Sequence, residues 1–209
     1  MLKRLLLATR SRHKFTEIRE MLAGHGGIQL LDLTEAGIVE SPEEDSIEVF
    51  DTFSDNAMAK ARYFAARSVL PVLADDSGLC VNALDGAPGV RSKRFAGYSG
   101  EDGDNDSANN AHLLRLMEGL EPQHRGARYV CVLALLETDG VERTFEGSCY
   151  GTILTEPRGG EGFGYDPLFL VSGYDRTFGE MSAEEKNSLS HRAHALHAAA
   201  EYLRATSSE

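Results

Sequence analysis

The stretch PVLADDSG, residues 71–78, sets an apolar run directly against two adjacent carboxylates, and no other segment restricts the fold as much. Val72, Leu73 and Ala74 read as a strand, because a short apolar run bounded by Pro and Gly has a strand's length and punctuation. Asp75 and Asp76 then fall at the strand's end, where extended backbone sends successive side chains to opposite sides. One carboxylate can face a cleft while the other contacts a neighbouring segment. Beside Ser77 and Gly78, the pair suits a hard cation such as Mg2+, which takes oxygen ligands and keeps several waters. Asp, Ser and Gly also favour turns, so this stretch alone leaves a turn and a site both open.

The segments around it read as α/β. Residues 5–8 form an apolar strand, the polar loop TRSRHK (9–14) follows, and apolar residues recur at Phe15, Ile18, Met21 and Leu22 before a glycine stop at Gly24. Phe53, Ala57, Ala61, Phe64 and Ala65 line one face of a second helix ahead of Pro71. The window SGEDGDNDS (99–107) is the most acidic and least apolar, and reads as a solvated loop before a helix over 108–119. ARYVCVLALLE and RTFEGSCYGTIL, separated by TDG (138–140), read as an antiparallel hairpin, and a last helix is expected near 189–205. Helices at both ends with strands between them give an α/β protein with a mixed sheet. At 209 residues, 42% of them hydrophobic, the chain can build one sizeable core.

A formal net charge of −12 argues against a surface that holds a nucleic-acid backbone, so any anionic ligand has to meet a local cluster of cations. Cys80, Cys131 and Cys149 are odd in number, scattered, and set among apolar or aromatic neighbours, which points to buried free thiols in a reducing, cytoplasmic compartment. The opening MLKRLLLATR has too short an apolar stretch for a signal peptide, and no run approaches the ~18 apolar residues of a membrane span.

Four further segments carry chemistry. In the 9–14 loop, Thr9, Ser11 and Lys14 could add hydroxyls and a charge to the anion-binding start of a helix, although the glycines and GK[ST] ending of a Walker loop are absent. Glu48 offers a third carboxylate ahead of the helix that begins near Phe53, and Asp55 and Asn56 lie in that helix's first turn, where the dipole alone accounts for an acidic residue. GFGYDP sets Phe163 and Tyr165 among glycines, followed by Asp166: a stacking face and an acceptor for a base, or equally a packed turn with core aromatics. MSAEEKNSLSHR carries a capping box, Ser182 with Glu185, and then Lys186, His191 and Arg192. His191, His194 and His197 are better explained by a solvated helix face than by a metal, because the third drifts off the first one's side. Together these segments hold carboxylates for a metal, cations for phosphates and an aromatic for a base.

LLLATRSRHKFTEIREML (5–22), TFSDNAMAKARYFA (52–65), LADDSGLCVNALDGAPGVRSKRFAG (73–97) and GFGYDPLFLVSGYDRTFGEMSAEEKNSLSHRAHAL (162–196) resemble the non-canonical purine nucleoside triphosphate pyrophosphatases, the inosine/xanthosine triphosphate pyrophosphatase (Ham1-like) family. The resemblance implies a homodimer whose subunits each form a single two-lobed α/β domain over 1–209, with a long mixed sheet flanked by helices and the active site in the cleft between lobes. It implies Mg2+-dependent cleavage of the α–β phosphoanhydride of ITP, dITP or XTP, giving the monophosphate and pyrophosphate, with no nucleic-acid polymer or membrane as partner. Carried onto this chain, Asp76 resembles the proton acceptor and a metal ligand, Glu48 a second carboxylate at the metal, Asp75 a supporting one, and Ser77 a substrate contact. Thr9, Arg10, Ser11 and Lys14 resemble the phosphate-binding segment, and Lys60 a further cation. Phe163, Gly164, Tyr165, Asp166, Lys186, His191 and Arg192 resemble the nucleoside-binding set. The family usually has asparagine at the position of Ser11 and a small uncharged residue at that of Arg10. Two rival readings keep the same motifs: a related pyrophosphatase for other modified or canonical nucleotides, and a catalytically silent nucleotide-binding protein.

Overall fold

The computed structural model describes residues 3–23, 27–97 and 102–206. Its strands are β1 (Lys3–Leu7), β2 (Ile28–Leu31), β3 (Val72–Val81), β4 (Gly126–Leu136), β5 (Glu142–Ile153) and β6 (Phe169–Val171). Its helices are α1 (Arg12–Ala23), α2 (Phe53–Ala65), α3 (Asp102–Leu116), α4 (Ala183–Leu189) and α5 (His191–Ala205), with short 3-10 turns between. The strands form one six-stranded sheet in the order β2-β1-β3-β4-β5-β6. β1 pairs parallel with β2 and β3, whereas β5 pairs antiparallel with β6, so the sheet is mixed as expected. β4 and β5 are neighbours joined by a turn in which the Gly140 N–H donates to the Glu137 carbonyl at 3.0 Å.

The chain divides into two compact units: Met1–Asp76, Cys131–Gly147 and Arg192–Glu209 in the first, and Ser77–Val130 and Ser148–His191 in the second. In the first unit, the alternation of extended backbone splits the core in two. Leu5, Leu7, Leu73, Cys131, Leu133 and Leu135 pack with α1 and α5. The intervening Leu6, Ala8, Val72, Ala74, Val132 and Ala134 pack with Ala57, Ala61 and Phe64 of α2. Strands covered on both faces read as continuous apolar runs, which is why residues 5–8 and 72–74 show no alternation. The second unit packs Leu79, Val81, Leu113 and Met117 against an aromatic group in which Tyr129 meets Phe169 edge-on at 4.8 Å and Phe169 stacks on Phe178 at 5.3 Å.

Two boundaries differ from the sequence reading. β3 does not end at its aspartates but runs on to Val81, with every residue buried except Ser77; the charges find cations inside the protein, so the chain has no need to turn toward water. α3 starts at Asp102 rather than 108, its inner stripe running Asn105, Asn109, Leu113, Met117, so the buried face is polar for its first half and looks like loop by hydropathy. Asn109 offsets that burial by accepting from the Ala96 N–H and donating to the Ser92 and Lys93 carbonyls. Residues 99–101 of the acidic window, and the Gly24 stop, lie outside the described residues. The expected last helix is α5 (His191–Ala205); the Ser182–Glu185 capping box opens a separate helix, α4, which stops at Ser190, whose backbone is extended. β2 was not foreseen, because IQLL has a single buried residue, Leu31, and no alternation.

Cys80, Cys131 and Cys149 are free and buried. Among the described residues no helix is long and apolar enough to cross a membrane.

In the second unit the buried Arg125 donates to the carbonyls of Met117, Ile153 and Leu154 at 2.7–2.9 Å, holding the end of α3 to the end of β5. Only a guanidinium presents donors in that fork. Arg125→Lys is therefore expected to lower the unfolding free energy by about 1–3 kcal/mol, the cost of leaving buried carbonyls without donors, as read by urea denaturation.

Candidate active site

The parallel register of β1 with β3 reaches only Leu7 opposite Leu73. β3 therefore carries Asp75 and Asp76 just beyond the carboxyl end of β1, the place where open α/β sheets bind their ligands. The chain leaves β1 through Thr9, whose hydroxyl accepts from the Ser11 N–H at 3.2 Å. Ser11 then opens α1 as an N-cap, its hydroxyl accepting from the Lys14 N–H at 3.4 Å. That cap sets Lys14 in the first turn, where its ammonium reaches Asp75 Oδ1 at 3.1 Å.

Asp75 shares the strand face of Leu73 and meets α1 and α5. Besides Lys14, Arg192 Nη2 stands 3.6 Å from Oδ2, and Arg192 also pairs with Glu17 of α1. Burial alone would raise the Asp75 carboxyl, but Lys14, Arg192 and Lys60 outweigh it and hold it well below the usual carboxylate range.

Asp76 shares the opposite face and meets α2, accepting at Oδ2 from Asn56 Nδ2 at 3.1 Å. Burial pushes its carboxyl up to about 6; Lys14 and Lys60 oppose the rise, and Glu48 and Asp75 add to it. Lys60 donates to the Asp75 backbone carbonyl at 2.7 Å and pairs with Glu48. Burial would raise the Glu48 carboxyl, yet Lys60 holds it lowered.

The other candidates near these strands separate. Arg10 is bidentate to Glu44 at 2.7 and 2.9 Å and donates to the Ile38 carbonyl, bracing segment 38–46. Arg192, grouped by resemblance with the nucleoside set, sits buried between Asp75 and Glu17. Ser77 is half-buried in β3.

In the second unit the GFGYDP turn is wound through left-handed glycines, Gly162 at φ +77° and Gly164 at φ +63°. A side chain at Gly162 would collide with the carboxylate of Asp166. That carboxylate is buried and accepts from the Phe163 N–H at 2.9 Å, Lys186 Nζ at 2.6 Å and the Tyr129 hydroxyl at 3.3 Å. The Lys186 ammonium lies 4.5 Å over the Phe163 ring. α3 grips the same turn: Asp106 accepts from the Gly164 N–H at 2.6 Å and Asn110 donates to the Gly164 carbonyl at 3.0 Å. Tyr165 is buried with its hydroxyl on the Ser92 carbonyl, and His191 stacks on Tyr129 at 4.7 Å. The packed-turn reading holds for Tyr165, which lies in the core, while Phe163 is half-buried beside a cation.

Sequence reasoning passed over Glu17, Asn56, Asp106, Asn110 and Tyr129 as working residues. For Asn56 the signal was present, an amide beside Ala57 on the apolar face of a helix. For the others only the fold brings them to their partners.

Among the described residues no three His, Cys, Asp or Glu side chains are grouped to hold a metal, the His191, His194 and His197 series included. What the first unit does offer is Asp76 and Glu48, whose like charges contribute to the raised Asp76 carboxyl. An open pair of carboxylates fits Mg2+, which completes its shell with water and phosphate oxygens, better than a metal that needs a closed protein cage.

The Ham1 family model matches residues 5–202. The chain is 45% identical over 203 residues to the dITP/XTP pyrophosphatase of Frankia alni, covering 96% of this chain and 97% of that one. It is 48% identical over 200 residues to that of Desulforamulus reducens, covering 96% and 95%. A HAM1 protein from Coxiella burnetii superposes with a TM-score of 0.83 at 36% identity, covering 97% of this chain and 98% of the other. The nucleoside-triphosphatase or dITP/XTP pyrophosphatase from Mycobacterium abscessus gives 0.72 at 39% identity, covering 93% and 97%.

Asp75→Asn is expected to cost about 3–5 kcal/mol of stability, because Arg192 and Lys14 lose a buried counter-charge. The folded carboxyl is lowered, so its contribution is complete above the unfolded range near ~3.9 and is lost only as pH falls below it. Urea unfolding should show a wild-type advantage that is flat from about pH 7 to 5 and shrinks below about pH 4.

Proposed function

The chain belongs to the Ham1 family, and on that premise we propose that it hydrolyses dITP, ITP and XTP to the nucleoside monophosphate and pyrophosphate, clearing non-canonical purines from the nucleotide pool. The observation that carries this reading is the convergence of Asp75, Asp76 and Glu48 with Lys14 and Lys60 at the carboxyl end of β1. A polyphosphate needs such cations, and a water molecule needs such a base.

Asp76 is the base. With its carboxyl raised to about 6 it is ionised at neutral pH yet close enough to that pH to take a proton from water. As the water oxygen bonds to phosphorus, the proton passes to Asp76 and the α–β anhydride bond breaks, leaving pyrophosphate. Lys14 and Lys60 spread positive charge over the departing group. Glu48 and Asp76 would hold Mg2+, with Asp75 supporting them through the lysines, and the bound ion supplies charge that polarises the phosphoryl oxygens. Thr9 and Ser11, at the start of α1, complete the phosphate-binding segment, and Arg10 between them braces it against Glu44. Ser11 stands where the family's asparagine is usual, and it retains the capping role that either side chain performs.

The purine base is assigned to the second unit. The Phe163 ring supplies a stacking face, and Gly164, held by Asp106 and Asn110, fixes the turn that presents it. Tyr165 and Asp166 anchor the turn, the latter by fixing Lys186. Lys186 and His191 supply donors that a 6-keto purine satisfies and the amino group of adenine does not, while Arg192, held by Asp75 and Glu17, steadies the first unit's carboxylate. Resemblance to the family supports a homodimer, and the buried free thiols suit a reducing, cytoplasmic compartment.

Pyrophosphate release from dITP, ITP, XTP, GTP and ATP, with and without Mg2+, tests the reading. Rapid release from the first three, dependent on Mg2+, is expected; equal turnover of ATP and ITP overturns it, and thermal stabilisation by nucleotide without release marks a silent binder. Asp76→Asn, folded by thermal melt, should release pyrophosphate about 10²–10⁴-fold more slowly, and a wild-type rate would remove Asp76 from the chemistry.

A further inference from the structure

We propose that Asn56 is a positioning residue that ties the two active-site carboxylates, Asp76 and Glu48, to a single buried amide; this rests on the reading of that pair as base and metal ligands. Asn56 stands in the first turn of α2, only 1% exposed. Its Oδ1 accepts from the Phe50 N–H at 2.9 Å, while Nδ2 donates both to the Phe50 carbonyl at 3.1 Å and to Asp76 Oδ2 at 3.1 Å. The partners dictate the amide's orientation: a peptide N–H needs an acceptor, and a carbonyl and a carboxylate need donors. Both N–H donors of the amide and one acceptor position on its oxygen are thereby used.

Phe50 lies two residues past Glu48, on the connection between the 3-10 turn Pro42–Ser46 and α2. Val49 and Phe50 leave their side chains 66% and 46% exposed, so burial does little to place this segment. The paired backbone bonds from Asn56 do so instead. One turn further along the same face of α2, Lys60 takes the Asp75 carbonyl and the Glu48 side chain. The helix thus sets consecutive residues of β3, with Lys60 on the backbone of Asp75 and Asn56 on the side chain of Asp76. It sets Glu48 twice, by its side chain through Lys60 and by the following backbone through Asn56. Two carboxylates that repel each other stay in one arrangement only if something else holds them, and a partner of this kind is commonly worth 10–100-fold in metal affinity or activity.

The test compares wild type with Asn56→Ala and with Asn56→Asp, which keeps the shape but loses both donors. Two quantities are read on folded protein: Mn2+ binding by electron paramagnetic resonance without nucleotide, and steady-state pyrophosphate release from dITP in Mg2+. Mn2+ affinity and kcat are expected to fall together, each about 10–100-fold, with KM for dITP nearly unchanged because the amide touches no nucleotide. A lower Tm with Mn2+ affinity and kcat per folded molecule intact would make Asn56 a scaffold residue and overturn the proposal. If the alanine variant does not fold, Asn56→Ser carries the same measurements, and failure of all three to fold also overturns it. A wild-type chain that binds Mn2+ but releases no pyrophosphate refutes the functional reading alone. Wild-type turnover with unchanged variants refutes the Asn56 link alone.

Discussion

Successive side chains of β3 leave the strand on opposite sides, and that alternation distributes the charges of the first unit. Asp75 goes to the side of α1 and α5, where Lys14 and Arg192 wait; Asp76 goes to the side of α2, where Asn56 and Lys60 lie one turn apart. Neither carboxylate could be buried alone, since an unpaired charge inside a protein costs several kcal/mol. The strand, the three helices and the loop from Glu48 to Phe50 are consequently committed to one another through these two residues.

The two halves of the pair end in contrasting states for the same reason. Asp75 is surrounded by cations and stays ionised far into the acid range, so its role is to hold the lysines and the arginine in place. Asp76 has burial and two neighbouring carboxylates against it, with lysines only partly compensating, and its carboxyl sits near neutrality. One neighbour serves as a fixed counter-charge and the other as a group able to exchange a proton. The second unit uses the same economy: Asp166, buried and triply bonded, spends its charge on Lys186 and the peptide of Phe163, and the cation it fixes lies over the Phe163 ring.

Legibility followed residue chemistry. Strand cores such as residues 5–8 and the hairpin around 138–140 announced themselves by apolar runs and turn residues, and Ser182 with Glu185 announced a helix start that the structure contains. α3 was concealed for its first turns because Asn105 and Asn109 occupy its inner face, and an amide that will be buried looks the same in a sequence as one that will be solvated. Arg10 and Arg192 read as ligand cations, but their partners Glu44 and Glu17 are distant in the chain or on another helix, and only folding revealed them.

The sequence by itself determined which groups exist to do chemistry: paired aspartates after an apolar run, lysines on flanking helices, a glycine-wound aromatic turn, and an order of motifs that marks the family. The tertiary structure alone decided how they divide their labour. That Asp75 is neutralised and Asp76 is not, that Asn56 holds a carboxylate, and that Ser11 caps the helix carrying Lys14 depend on which groups lie within about 3–4 Å of one another, where a hydrogen bond or a buried ion pair acts. Such distances are set by the packing of whole elements and cannot be read from neighbours along the chain.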